Sequence, residues 1–97
     1  MYAFYYDAPG TPHVYRLVTE RIGTARPEGL VDQVVTRTET GLRHLNVWES
    51  REQWERFRDS TVRPAVSAVL GQLRIEPPAE PPTEHLLDLV DVGPGRG

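Results

Sequence analysis

Two β-prone runs, Leu30 to Thr38 and Leu42 to Glu49, are joined only by Glu39-Thr40-Gly41, and a helical pattern lies on either side of the pair. So short a link, with a glycine in it, reads as a hairpin. The link fits two residues or three, which leaves the register open. Everything else in the chain has to be arranged around this hairpin.

Upstream, Tyr2 to Tyr6 is aromatic and extended in character, and Asp7-Ala-Pro-Gly10 turns it. Thr11-Pro12 then opens a helix, with Thr11 as cap and proline at the first position, where no amide partner is needed. Val14, Leu17, Val18 and Ile22 recur at helical spacing, and Gly23 stops them. Downstream, Ser50-Arg-Glu-Gln53 is a capping box, in which Ser50 caps and Gln53 reaches back to the Ser50 amide. The helix it starts carries Trp54, Phe57, Val66, Val69 and Leu70 and is expected to end at Gly71. Pro64 removes a backbone bond inside it, which predicts a kink, or a break and restart near Ser60-Thr61. Pro77-Pro78-Ala-Glu-Pro81-Pro82 is a stiff extended connector. His85 to Val92 supplies a last strand, and Gly93 to Gly97 reads as a frayed tail.

Strand, helix, hairpin, helix, strand is the ferredoxin-like βαββαβ order, an α+β arrangement with an antiparallel sheet and both helices on one face. The expectation is one domain over residues 1–92 with a flexible tail over 93–97. A sheet with one wet face should alternate apolar and polar residues. Here Leu45 and Val47 point one way, while Leu42, His44, Asn46 and Trp48 point the other. Val34 lies opposite Val31 and Val35, and Leu86-Leu87-Asp88-Leu89-Val90 is apolar on both sides. One protomer's helices can cover only one of those faces, and the other would be a large apolar patch. A homodimer is therefore expected. A chain of 97 residues also buries only about two-thirds of its unfolded surface, so a partner would help it.

Composition narrows the function. A net charge of −3 gives no electrostatic footprint for nucleic acid or an anionic membrane, so neither is expected as a partner. Without cysteine there is no disulfide, thiolate metal site or cysteine nucleophile. Three scattered histidines lack ligand spacing, so no metal is expected. No glycine-rich phosphate loop or nucleophile elbow is present. Met1 to Asp7 lacks the basic start and apolar core of a secretory signal, and no run approaches the roughly 20 apolar residues of a membrane span. The expected location is the cytoplasm. The charges from Glu49 to Arg58 read as a solvated helix face with pairs such as Glu52–Arg56.

A strand ending in Val47-Trp48-Glu49, followed by the capped run from Ser50 to Phe57, resembles the dimeric α+β barrel superfamily, in particular its antibiotic-biosynthesis-monooxygenase-like domains. The likeness spans most of the chain in element order and is motif-like from Gly41 to Phe57. It implies a homodimeric barrel with one pocket per subunit between sheet and helices. Some members oxygenate planar aromatics without metal or flavin, so no cofactor is implied; others degrade haem or isomerise small lactones. Haem degradation is disfavoured, because no histidine lies between Ser50 and Gly71 and the first strand has no asparagine.

Trp48 matches the strand-end tryptophan that lines the pocket in several of these proteins, and His44 and Asn46 share its face by alternation. An indole wall with a few placed polar groups is the usual build of a small-molecule site. Asn46 could hold a carbonyl or phenolate oxygen, and a neutral His44 could accept a phenolic proton as catalytic base. Trp54, with Phe57, is the further candidate for ligand contact. Each residue has a plainer reading as well. Trp48, Trp54 and Phe57 serve equally as core, Asn46 as an interior amide bonded to backbone, and His44 as a satisfied structural histidine. Tyr5 and Tyr6 face opposite ways, so at most one meets a pocket; His13 and His85 read as surface residues. The functional expectation is a small-molecule-binding dimeric barrel, either a cofactor-independent monooxygenase on a planar aromatic or a non-catalytic ligand-binding or structural module. An RNA-recognition role, which shares the element order, lacks its basic aromatic motif.

Overall fold

A computed structural model describes residues 1–93; the expected tail beyond Gly93 lies outside the described residues. The elements are β1 (Tyr2–Pro9), α1 (Pro12–Ile22), β2 (Leu30–Arg37), β3 (Gly41–Trp48), α2 (Arg51–Phe57), α3 (Arg63–Leu73) and β4 (His85–Leu86). They form a compact α+β structure with one antiparallel four-stranded sheet in the order β2-β3-β1-β4. That order is compatible with a ferredoxin-like fold.

The local signals act where the residues predict. Thr11 caps α1, its hydroxyl accepting from the Val14 amide at 3.2 Å. Ser50 caps α2, accepting from the Gln53 amide at 3.2 Å. The reciprocal bond differs from expectation: the Ser50 hydroxyl donates to Gln53 Oε1 at 3.0 Å, so the glutamine closes the box on the hydroxyl and not on the amide. Gly29 makes room for that side chain. With φ of +91°, and Gln53 Oε1 where a Cβ would stand, no other residue fits there without displacing the glutamine.

Between α2 and α3 the residues Arg58–Val62 form a π-helical segment, in which the Arg63 amide donates to the Arg58 carbonyl five residues back. Pro64 has no amide to donate, the wide turn lies just ahead of it, and the helix runs on without a break. The irregularity spans the expected Ser60-Thr61 step, but it is a π-helical turn within a continuous helix and not a break and restart. Gly71 does not end the helix. The chain continues to Leu73, and Arg74 takes the left-handed conformation at φ 58°. The Arg74 amide donates to the Gly71 carbonyl and the Ile75 amide to the Leu70 carbonyl, which is a Schellman closure built on arginine. Gly71→Ala, which meets nothing within 4 Å, should therefore raise stability by about 0.5–1 kcal/mol in urea denaturation.

The hairpin register is now fixed. Arg37 pairs with Leu42, and the Thr38 amide donates to the Gly41 carbonyl, so Glu39 and Thr40 form the turn. Gly41 also lies against β1, where an added Cβ would run into the Ala8 carbonyl oxygen. Two strand expectations need correction. A bulge between Leu30 and Asp32 leaves Val31 without a Cα partner, so the face carrying Val35 is completed by Gln33 and Leu30, and Val31 drops out. The last strand is two residues long, not eight. It pairs His85 with Tyr5 and Leu86 with Phe4; the Leu87 amide reaches the Ala3 carbonyl, and the described residues beyond it, 88–93, pair with no strand.

On one sheet face Phe4, Trp48 and Trp54 form a buried cluster, with Tyr2, Tyr6, Leu30, Phe57 and Val62 packed around it. That face looks at the helices. On the other face Leu45 and Val47 are half-buried, and Val34 and Leu87 are each 40% exposed. The Arg43 guanidinium pairs with Asp7 at 2.7 Å and lies 4.5 Å from the centre of the Tyr5 ring on that same face.

Candidate functional site

The alternation of β3 delivers His44, Asn46 and Trp48 to the helix side, where β1 brings Tyr2, Phe4 and Tyr6 beside them in register. α2 closes over them with Trp54. Its ring lies 4.9 Å from Phe4 and 5.5 Å from Trp48, and Phe57 sits 5.5 Å from Trp48 on the next turn. The predicted site residues Asn46, Trp48 and Trp54 are thus in one cluster, 2%, 1% and 3% exposed. His44 stands at its margin, stacked on Tyr6 at 4.6 Å and tilted against Tyr15 of α1 at 5.7 Å.

Asn46 is the chemically unusual member. The Trp48 indole N–H donates to Asn46 Oδ1 at 3.2 Å. An indole nitrogen can only donate, so this bond fixes which end of the amide faces the tryptophan. The amide nitrogen is pointed elsewhere, and Asn46 Nδ2 is buried with no hydrogen-bond partner. Such an orphaned donor costs about 1–3 kcal/mol. The tryptophan prevents the amide from flipping, so the unpaired end stays the donor Nδ2.

Burial lowers the pKa of His44 from its ordinary 6.5, against a smaller upward pull from Asp7, so the imidazole is neutral at pH 7 and above. Burial likewise raises the Tyr6 and Tyr15 phenols, which stay protonated. The sign for stability follows. Above about pH 6.5 the histidine is neutral in folded and unfolded chains alike; below it the unfolded chain takes up a proton that the folded chain resists. Stability should therefore fall as the pH drops below about 6.5, and urea midpoints of His44→Gln should lose that slope. Asp7, whose carboxyl the Arg43 hydrogen bond holds below its usual 3.8, acts only in a lower window.

Sequence reasoning missed two contributors. Phe4, 0% exposed, is the centre of the cluster, and the period-two spacing of Tyr2, Phe4 and Tyr6 could have shown it. Glu84, which follows the prolines, accepts from the Trp54 indole N–H at 3.0 Å, from Arg58 Nη1 at 3.2 Å and from the Tyr2 hydroxyl at 3.5 Å. Nothing local in the sequence announces contacts of that range. His13 is exposed; His85 is exposed too and stacks on Tyr5 at 4.8 Å, on the sheet face away from the cluster. The expected Glu52–Arg56 pair is replaced by Arg51–Glu55 at 3.4 Å and Arg63–Asp59 at 3.3 Å. Glu52 and Arg56 instead line a shallow open depression on the outer side of α2 with Glu55, Asp59 and Ser60.

Among the described residues no group of three or more His, Cys, Asp or Glu is gathered to hold a metal ion, and no helix is long and apolar enough to cross a membrane. Neither a family model nor a curated protein matches the chain.

Proposed function

We propose that the protein is a homodimeric α+β-barrel module that binds a small planar aromatic molecule between sheet and helices, with Asn46 donating to an oxygen of the ligand. The observation that carries this reading is the buried Asn46 Nδ2, held in place by Trp48 and left without a partner. A wall of Phe4, Trp48, Trp54 and Tyr6 suits a flat ring, and the one oriented donor suits a carbonyl or phenolate. The half-exposed apolar residues of the opposite sheet face, Leu45, Val47, Val34 and Leu87, support the second copy. The resemblance of the Val47-to-Phe57 segment to monooxygenase-like barrels agrees with both.

Titration of the tryptophan fluorescence with anthrones, quinols and flavonols tests binding. Saturable quenching is expected with at least one class, and Asn46→Ala should weaken it by about tenfold, the value of one hydrogen bond. A flat response across the panel would sink the reading.

A catalytic variant of this reading rests on His44. It is neutral and shares the strand face of Asn46 two residues away, which places a proton acceptor beside an oxygen-binding donor. With an anthrone, dioxygen would give one atom to the ring methylene as a carbonyl, and the other would leave as water with both hydrogens. Oxygen uptake stoichiometric with carbonyl formation, lost in His44→Ala with binding retained, is the expected result. Quenching without uptake would leave a binding module.

A further inference from the structure

We infer that the connector from Glu76 to Glu84 is a strap, and that its Glu84 latch holds Trp54 as the movable wall of the Asn46 site. What the strap admits rests on the ligand reading above; the latch stands on its own contacts.

Every residue from Gly71 to Thr83 is exposed. Four of them, Pro77, Pro78, Pro81 and Pro82, lack an amide hydrogen and have fixed φ, so the segment is stiff and moves as a piece. One end is set by the Schellman closure at Arg74 and Ile75. At the other end, the Glu84 carboxylate, its side chain 21% exposed, collects donors from three places: Tyr2 of β1, Trp54 of α2 and Arg58 of the π-helical segment. Directly after it, β4 pairs only two residues with β1. A rod with one firm end and one polar latch, followed by a minimal strand, opens at the latch.

Trp54 links that latch to the interior. Its indole N–H faces Glu84, while its ring rests on Phe4 and Trp48. Phe4, Asn46 and Trp48 are sealed at 0%, 2% and 1% exposure, so a molecule reaching Asn46 must first displace a wall. Phe4, Asn46 and Trp48 belong to the two central strands. Trp54 is the wall whose polar anchor lies on the strap, and releasing Glu84 frees its indole.

Indole N–H exchange by NMR tests this without a ligand, since the two tryptophans give separate signals. In Glu84→Ala the Trp48 indole N–H, which bonds Asn46 and not the latch, should exchange at least about tenfold faster, while the β3 backbone amides keep their protection. An unchanged Trp48 rate would overturn the gate. Equal acceleration of Trp48 and the β3 amides would overturn it as well, because the latch would then be a stability contact only. If the alanine variant does not fold, Glu84→Gln keeps an acceptor for Trp54 but drops the charge that Arg58 pairs with. It carries the same test, with a smaller rise expected. A gate that opens in a protein that quenches with no aromatic would retire the ligand reading and leave the strap.

Discussion

Trp48→Ala is expected to cost about 3–5 kcal/mol and to leave much of the chain unfolded in the absence of ligand. The native state of a domain this size is stable by only about 5–15 kcal/mol. Trp48 is 1% exposed and touches Trp54 and Phe57, so its removal opens a cavity at the centre of the cluster, between β3 and α2. It also leaves Asn46 Oδ1 unpaired, when its Nδ2 is unpaired already. The two effects separate in a double-mutant cycle. Trp48→Phe keeps an aromatic ring but drops the N–H, and Asn46→Leu removes the amide. If the indole–amide bond is as described, the double variant should be more stable than the sum of the single losses implies, by about 1–2 kcal/mol. Urea denaturation of the four proteins measures it, and strict additivity would show that the bond contributes nothing.

Leu45→Arg should weaken self-association by about a hundredfold or more, with the fold intact. Leu45 lies on the sheet face that the helices do not cover, between Val34 of β2 and Tyr5 of β1. An arginine there would be buried without a counter-charge in a dimer and simply solvated in a monomer, and one unpaired charge at an interface costs about 2–5 kcal/mol. The exposed Gln72 of α3 provides the control, since arginine at that position should leave association unchanged. Retained thermal unfolding cooperativity in Leu45→Arg distinguishes a lost interface from a lost fold.

Much of the fold was legible because its signals are local. The hairpin, the Thr11 and Ser50 caps and the helical irregularity before Pro64 each follow from a few adjacent residues. The alternation of β3 was enough to bring His44, Asn46 and Trp48 to one face, and the contact of Trp48 with Trp54 of α2 shows which face it is. Most of the misses are places where a distant partner decides. His85 to Val92 reads as a strand, but pairing with β1 stops after His85 and Leu86, and propensity without a partner edge makes no sheet. The bulge at Val31 is a matter of fitting β2 to β3. Gly71 looked like a stop, yet the helix runs two residues further, to Leu73, and ends by placing Arg74 in a conformation that costs arginine about 1 kcal/mol. Glu84 bonds residues 26, 30 and 82 positions away, beyond the reach of any window along the chain. In the site, residue types could be named from the sequence, but the orphaned amide could not. It exists only because the Trp48 indole turns one end of Asn46 toward itself.

The sheet has apolar residues on both faces and helices on only one, and the proposed barrel requires a second copy to cover the other. Sedimentation equilibrium of the unmodified protein at micromolar concentration tests this most directly. A species of twice the 11.0 kDa chain mass is expected, dissociating only on dilution or on introduction of Leu45→Arg. A single species of the chain mass, stable across that concentration range, would contradict it.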